Sequence, residues 1–324
     1  MSLRTKCLFD SIIARIHEDK KQDETKCRPR EKENMYQIIR GKHFLFFLLS
    51  LSLTATSCGA SSSSSSSQLS SFGKKHFVLI HGACQGAWTW YKVATLLKAS
   101  GHNVTALDLG ASGINPIQAQ QLPSLSDYVE PLTKLMVFLP PKERVILVAH
   151  SMGGAVISIF MERFPEKIAA AVYVSGFMSG PALNYSTVFI EINKRLDYMD
   201  SQYRYDAGPK NPATSFLTGP RLLASKFYQL SPPEDLTLSL SVMRFSPLYN
   251  YDVIKLTKER YGSVPRVFII ADRDHAIVLE VQNFMIKKNP PNEVKVISGS
   301  DHMVMLCRPL ELFSHLQDIA GKYF

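Results

Sequence analysis

Ser151 follows the apolar run 145–149 and precedes Met152-Gly153-Gly154, after which a helical pattern covers 154–163. A serine between strand and helix sits on a sharp turn. Such a turn needs small residues two positions away and presents the hydroxyl at the C-terminal edge of a sheet. Gly153 meets that need, and Ala149 is a mild departure from the pattern G-x-S-x-G. The backbone N–H of Met152 would then face a developing oxyanion. The same residues also fit an ordinary glycine-rich strand-to-helix turn. A phosphate loop fits less well, because G-x-G-x-x-G and a Walker lysine are both missing.

A serine hydroxyl is a poor nucleophile at neutral pH and needs a base, itself held by a third group. Among nine histidines, His302 stands just after a last strand and before a last helix. The apolar run 267–271 ends in Asp272-Arg273-Asp274, so a carboxylate is available at another strand end. Periodicity does not choose between Asp272 and Asp274. Asp301 is the poorer orienting acid because it adjoins the base in sequence. The chain order Ser…Asp…His is that of α/β-hydrolases. A second oxyanion donor is expected from the loop after the first core strand, His81-Gly82-Ala83-Cys84, with the N–H of Ala83 the candidate and Gly82 allowing close approach.

The elements that must position these groups are legible as short β-branched runs alternating with amphipathic segments, the signature of βα units around a mostly parallel sheet. Strands are expected at 77–80, 104–107, 145–149, 170–174, 267–271 and 294–297, and helices at 88–99, 126–138, 154–163, 279–287 and 310–320. The strands read as continuous hydrophobics, as for strands covered on both faces. From about 180 to 260 the alternation stops, and Tyr-, Met-, Leu- and Pro-containing segments with turn signals indicate an inserted cap. Five cysteines, two of them beyond residue 75, offer neither a disulfide framework nor paired metal-ligand spacing.

The net charge of +9 suggests a polyanion partner until its distribution is followed. Residues 1–75 hold 13 of the 37 basic and 7 of the 28 acidic side chains, so most of the excess is N-terminal and no nucleic-acid partner is expected. This extension, read as disordered, contains a charged stretch at 18–34, an apolar run at 44–55 and a serine-rich linker at 61–71. The apolar run is short of the ~20 residues that span a bilayer and has the order of a secretory signal or anchor, better still from Met35. A plastid or cytoplasmic destination is the alternative; the seven acids argue against a transit peptide. The folded part, 76–324, carries no apolar stretch long enough to span a membrane.

Taken together, HFVLIHGACQGAWTWYKV (76–93), VILVAHSMGGA (145–155), KIAAAVYVSGFM (167–178) and SDHMVMLCRP (300–309) resemble the plant methylesterase family of α/β-hydrolases. The resemblance spans the whole of 76–324. It implies a mostly parallel sheet flanked by helices with an inserted cap over a small apolar pocket. It also implies hydrolysis, without cofactor or metal, of methyl esters of small carboxylic acids of the salicylate, jasmonate or indole-acetate type. Aligning VFIIADRDHAIVLEVQ (267–282) with the family's acid-bearing turn implies Asp274 as the third member, with Ser151 and His302. The related hydroxynitrile lyases carry threonine at the position of Gly82 and lysine at that of Met303; neither is present, which favours an esterase. Cap aromatics, Tyr198 and Tyr203 first among them, with Phe216, Phe227 and Tyr228, are candidates for the pocket wall. A rival from another class is a receptor that captures a small hormone acid with little turnover. The oligomeric state is left open.

Overall fold

The computed structural model describes residues 73–324. The expectations placed on the N-terminal extension, its apolar run at 44–55 and its serine linker fall outside the described residues.

The chain begins with β1 (His76–Ile80), a 3-10 turn (Ala87–Trp90) and α1 (Tyr91–Ala99), then β2 (Asn103–Leu107). A helical turn (Leu125–Tyr128) precedes α2 (Glu130–Phe138), where the sequence pattern suggests one continuous helix. Pro131 explains the break: in the first turn of α2 it has no N–H to donate backward, so a new helix starts there. β3 (Val145–His150), α3 (Gly153–Arg163) and β4 (Ile168–Val174) follow. The insertion contains α4 (Tyr185–Asn193), β5 (Gln202–Arg204), β6 (Ser215–Leu217), α5 (Pro233–Val242) and β7 (Ser246–Pro247). The chain then returns with β8 (Arg266–Ala271), α6 (Leu279–Lys288), β9 (Glu293–Ile297) and α7 (Pro309–Tyr323).

Six strands form one parallel sheet in the order β2-β1-β3-β4-β8-β9. Alternate residues feed opposite faces, Val145, Leu147 and Ala149 packing into one apolar cluster and Ile146 and Val148 into the other. This two-sided burial is why the central strands read as unbroken hydrophobic runs. β9 departs from that reading. It lies at the sheet edge with Val294 and Val296 exposed, so only one of its faces is covered. Pairing brings Ile80 level with Ala149, His150 with Val174, and Ala271 with Ile297, so the loops after five strands emerge along one rim.

The insertion carries its own antiparallel sheet, β5-β6-β7. Its strands are two or three residues long and the three residues of β5 are all exposed, so no long buried run marks them in the sequence. Arg244 fastens this segment to the body: its backbone N–H donates to Cys84 O at 3.1 Å and its guanidinium to the carbonyls of Gly113, Asn115 and Ile117. A second fastening joins α5 to α1, with Lys92 Nζ 2.6 Å from Asp235 Oδ2 and the Tyr91 hydroxyl donating to Asp235 Oδ1.

Candidate active site

β3 delivers the chain to Ser151, whose φ of +52° lies in the left-handed region that a non-glycine residue seldom occupies. The turn is held by Gly154 N–H and Phe177 N–H, both donating to Ser151 O at 3.0 and 2.9 Å. Two glycines make the tight path possible through close packing. A Cβ on Gly153 would lie 2.6 Å from His81 O, and one on Gly154 2.7 Å from the Phe177 backbone. Ala149 is fully buried in the core cluster, so its methyl is accommodated.

His302 lies in the loop between β9 and the next helical turn and is almost completely buried. Its Nδ1 lies 2.6 Å from Asp274 Oδ2. The carboxylate also accepts from Ser175 Oγ at 2.5 Å on that same oxygen, and from the N–H groups of Ala276 and Ile277 at 2.7 and 2.8 Å on the other. Four donors on a buried carboxylate fix its plane. The other two acids are engaged elsewhere. Asp272 accepts from Gly299 N–H, and Asp301 accepts from Leu230 N–H, Met303 N–H and Ser231 Oγ. Burial raises the Asp301 pKa, and its donors restrain that rise.

Ser151, His302, Ala83 and Met152 line one cavity together with Phe177, Phe189, Ile192, Leu196, Tyr198, Phe216, Phe227 and Met303. Ser151 Oγ and His302 Nε2 share this space without a hydrogen bond between them, and His302 Nε2 has no partner among the described residues. Among the described residues the cavity's lining includes no lysine and no arginine. Tyr198 is on the wall, with its hydroxyl donating to Asn193 Oδ1 at 2.6 Å. Tyr203 is not: it is 41% exposed on β5 and stacks against Phe216, which does reach the cavity. Of the other cap aromatics, Phe227 lies edge-on to His302, whereas Tyr228 sits behind the wall.

Three further residues organise this site without a sequence motif pointing to them. Ser175, directly after β4 and itself at φ +39°, holds Asp274. His81 accepts from Leu109 N–H at 3.2 Å on Nε2, so its Nδ1 carries the proton that reaches Gly82 O at 2.7 Å. In a trans peptide the next N–H points the opposite way, so anchoring the Gly82 carbonyl turns Ala83 N–H away from His81. His150 donates from Nε2 to His302 O at 2.8 Å, its ring 4.5 Å from that of His302. Burial, then the neighbouring His302 and His81, hold the His150 imidazole well below its ordinary pKa, so it stays neutral.

Comparison with known proteins agrees with this architecture. The model of the alpha/beta hydrolase family matches residues 77–314. Methyl jasmonate esterase 1 of Vitis vinifera is 51% identical over 256 residues, covering 77% of this chain and 98% of the relative. Salicylic acid-binding protein 2 of Nicotiana tabacum is 46% identical over 255 residues, with the same coverages. Among solved structures, a tomato methylketone synthase I variant complexed with beta-ketoheptanoate superimposes with a TM-score of 0.75 at 50% identity, covering 79% of this chain and all of that one. The chain therefore belongs to the alpha/beta hydrolase family and, within it, to the plant methylesterases.

Proposed function

We propose that the chain is a serine carboxylesterase that converts methyl esters of small, largely apolar carboxylic acids to the free acid and methanol. The observation that carries this reading is the buried His302–Asp274 pair at 2.6 Å, opening with Ser151 onto one apolar cavity. When an ester enters, Ser151 Oγ swings to His302 Nε2, a contact that forms only in the substrate complex. His302 takes the proton as Oγ attacks the carbonyl carbon. Ala83 and Met152 N–H groups, neither of which has another acceptor among the described residues, stabilise the tetrahedral oxyanion. The imidazolium, held by Asp274, returns the proton to the methoxy oxygen, methanol departs, and a water activated by the same imidazole releases the acid. Neutral His302 is required in both halves, so kcat/KM falls on acidification.

The absence of lysine and arginine among the described residues that line the cavity argues against the two rivals. A receptor for a hormone acid must hold a carboxylate away from water, which is costly without a cation. Here the newly formed carboxylate meets no lysine or arginine among the described residues, which suits release and turnover. Cyanohydrin cleavage would need a positive group beside the histidine to receive cyanide, and Met303 supplies none.

The test is methanol release from a panel of methyl esters, including aryl, alicyclic and β-keto acids, by the wild type and by Ser151→Ala. The expected result is release by the wild type and a loss of about 10⁴-fold or more in the variant. Tight binding of the free acid with no methanol from any ester would overturn the proposal.

A further inference from the structure

Asp301 is fully buried and directly precedes His302, yet the imidazole bonds to Asp274 instead. Its two oxygens serve two pieces of chain. Oδ1 accepts from Met303 N–H at 3.0 Å, just past the base, and from Ser231 Oγ at 3.1 Å, while Oδ2 accepts from Leu230 N–H at 2.9 Å. Leu230 and Ser231 belong to the insertion. They follow a single π-helical turn (Leu223–Phe227), closed by Tyr228 N–H donating to Leu223 O at 2.9 Å. Phe227, the last residue of that turn, lines the cavity and lies edge-on to the His302 ring, with the centroids 4.7 Å apart. The same segment reaches the turn of the third triad member, since Gln229 Nε2 donates at 2.8 Å to the carbonyl of Arg273, next to Asp274. Residues 227–231 are thus fastened to both loops that carry the acid and the base.

We propose that Asp301 is a positioning residue that holds segment 227–231 of the insertion against the loop of the catalytic base, so that Phe227 covers and aims the His302 imidazole. This rests on the esterase reading of Ser151, His302 and Asp274, and adds to it how the insertion reaches the chemistry. A carboxylate suits the place because its two oxygens accept from donors on both sides at once. An asparagine of the same shape offers a single oxygen. Whichever way its amide lies, the NH2 group meets an N–H that now donates to Asp301, and two buried donors face each other. Keeping the oxygen toward Met303 and Ser231 turns the NH2 onto Leu230 N–H, so the insertion is what comes loose. Phe227 then loses its anchor while His302 and Asp274 both remain. A displacement of about 1 Å at a reacting group can cost about 10²-fold in rate.

The experiment compares the full-length wild type with Asp301→Asn, well below the unfolding transition of either. The expected result is a fall in kcat of about tenfold to a hundredfold per folded molecule, with KM within about threefold. In a double-mutant cycle, Phe227→Ala should add little to the loss that Asp301→Asn already causes. A merely structural Asp301 would lower the urea midpoint and leave kcat per folded molecule within about twofold of the wild type. That outcome, or full additivity with Phe227→Ala, overturns the assignment. Should Asp301→Asn fail to fold, Ser231→Ala and Gln229→Met loosen the same segment one bond at a time, and a kcat unchanged in both overturns it equally. The low-field proton resonance of His302 Nδ1–H, assigned by its loss in His302→Gln, reads the imidazole without turnover and should broaden in Asp301→Asn as Phe227 ceases to cover the ring. If the wild type releases no methanol from any ester, the esterase reading fails and the resonance alone decides on Asp301: broadening sustains its role, and a signal identical to the wild type's defeats it.

Discussion

Asp274 Oδ2 accepts from both His302 Nδ1 and Ser175 Oγ, so the hydroxyl of Ser175 and the imidazole share one oxygen. Removing the hydroxyl in Ser175→Ala leaves the carboxylate with its two backbone donors and its histidine. It is less firmly aimed. A hydrogen bond to a charged group contributes about 1.5–3 kcal/mol, and only part of that is felt at the reacting centre. The expected outcome is a fall in kcat of about tenfold with KM little changed. Asp274→Asn should cost about 10³–10⁴-fold, since an amide can leave the imidazole in the wrong tautomer. Steady-state kinetics on a single ester checks both, and equal losses for the two variants would count against the assigned roles. At Gly82 an added Cβ would lie 2.9 Å from Ser151 Cβ and 3.1 Å from His150 Nδ1. Gly82→Ala should therefore lower kcat rather than unfold the protein. At this scale Ser151 and His302 were legible because each lies in the loop after a strand, in a recognisable pattern. Ser175 was not: it lies in VSGF with no motif, and only its place after β4, on the same rim as Ser151, could have signalled it.

The elements owe their positions to a few backbone approaches that the sequence marks with glycine. Gly153 at the start of α3 is a severe one beside the site, its Cβ place lying 2.6 Å from His81 O and 3.1 Å from Ile80 O. Neither atom is the end of a flexible side chain. Gly153→Ala must push α3 away from β1, and overpacking of this kind costs about 1–3 kcal/mol. The urea midpoint should drop accordingly, with activity lost in the fraction that remains folded; a stable, active Gly153→Ala would contradict the close packing described. The six central strands were readable from composition because both faces of most are covered, and β9 misled only in its coverage. The cap was readable only as an interruption. Its strands of two or three residues carry no period, and its fastenings, an arginine reaching three carbonyls and the Asp235 contacts to Tyr91 and Lys92, follow no motif. In Arg244→Met those carbonyls lose their partner and the segment 113–117 loses its tie to the cap. KM for the ester should rise several-fold while kcat changes less, as measured by full saturation curves. A fall in kcat alone would place Arg244 in the chemistry instead.

Across the whole molecule, two buried histidines, His81 and His150, link stability to pH. Burial is the chief cause that holds both below the ordinary imidazole value; at His150 the neighbouring His302 and His81 add to it. In the unfolded chain each would bind a proton with an ordinary pKa near about 6.5. Between that value and the lower folded one, the unfolded state holds more protons than the folded state, so unfolding gains from acidification. The stabilisation they contribute is therefore fully present above about pH 6.5 and declines as pH falls, by at most about 1.4 kcal/mol per pH unit for each histidine. Asp301, raised by burial, acts in the opposite sense and at lower pH, where carboxylates titrate. Urea unfolding of the full chain between about pH 7.5 and 5.5 should thus show a falling midpoint. In His150→Gln the side-chain N–H to His302 O can be retained while the titration is removed. That variant should be less stable at neutral pH yet lose stability on acidification less steeply than the wild type, by up to about 1.4 kcal/mol per unit. Parallel acid limbs for the two proteins would mean that His150 already carries a proton in the folded state. The unpaired Nδ1 beside Gly82 would then be a cation in the site, and the case for a cavity that expels its carboxylate product would fail with it.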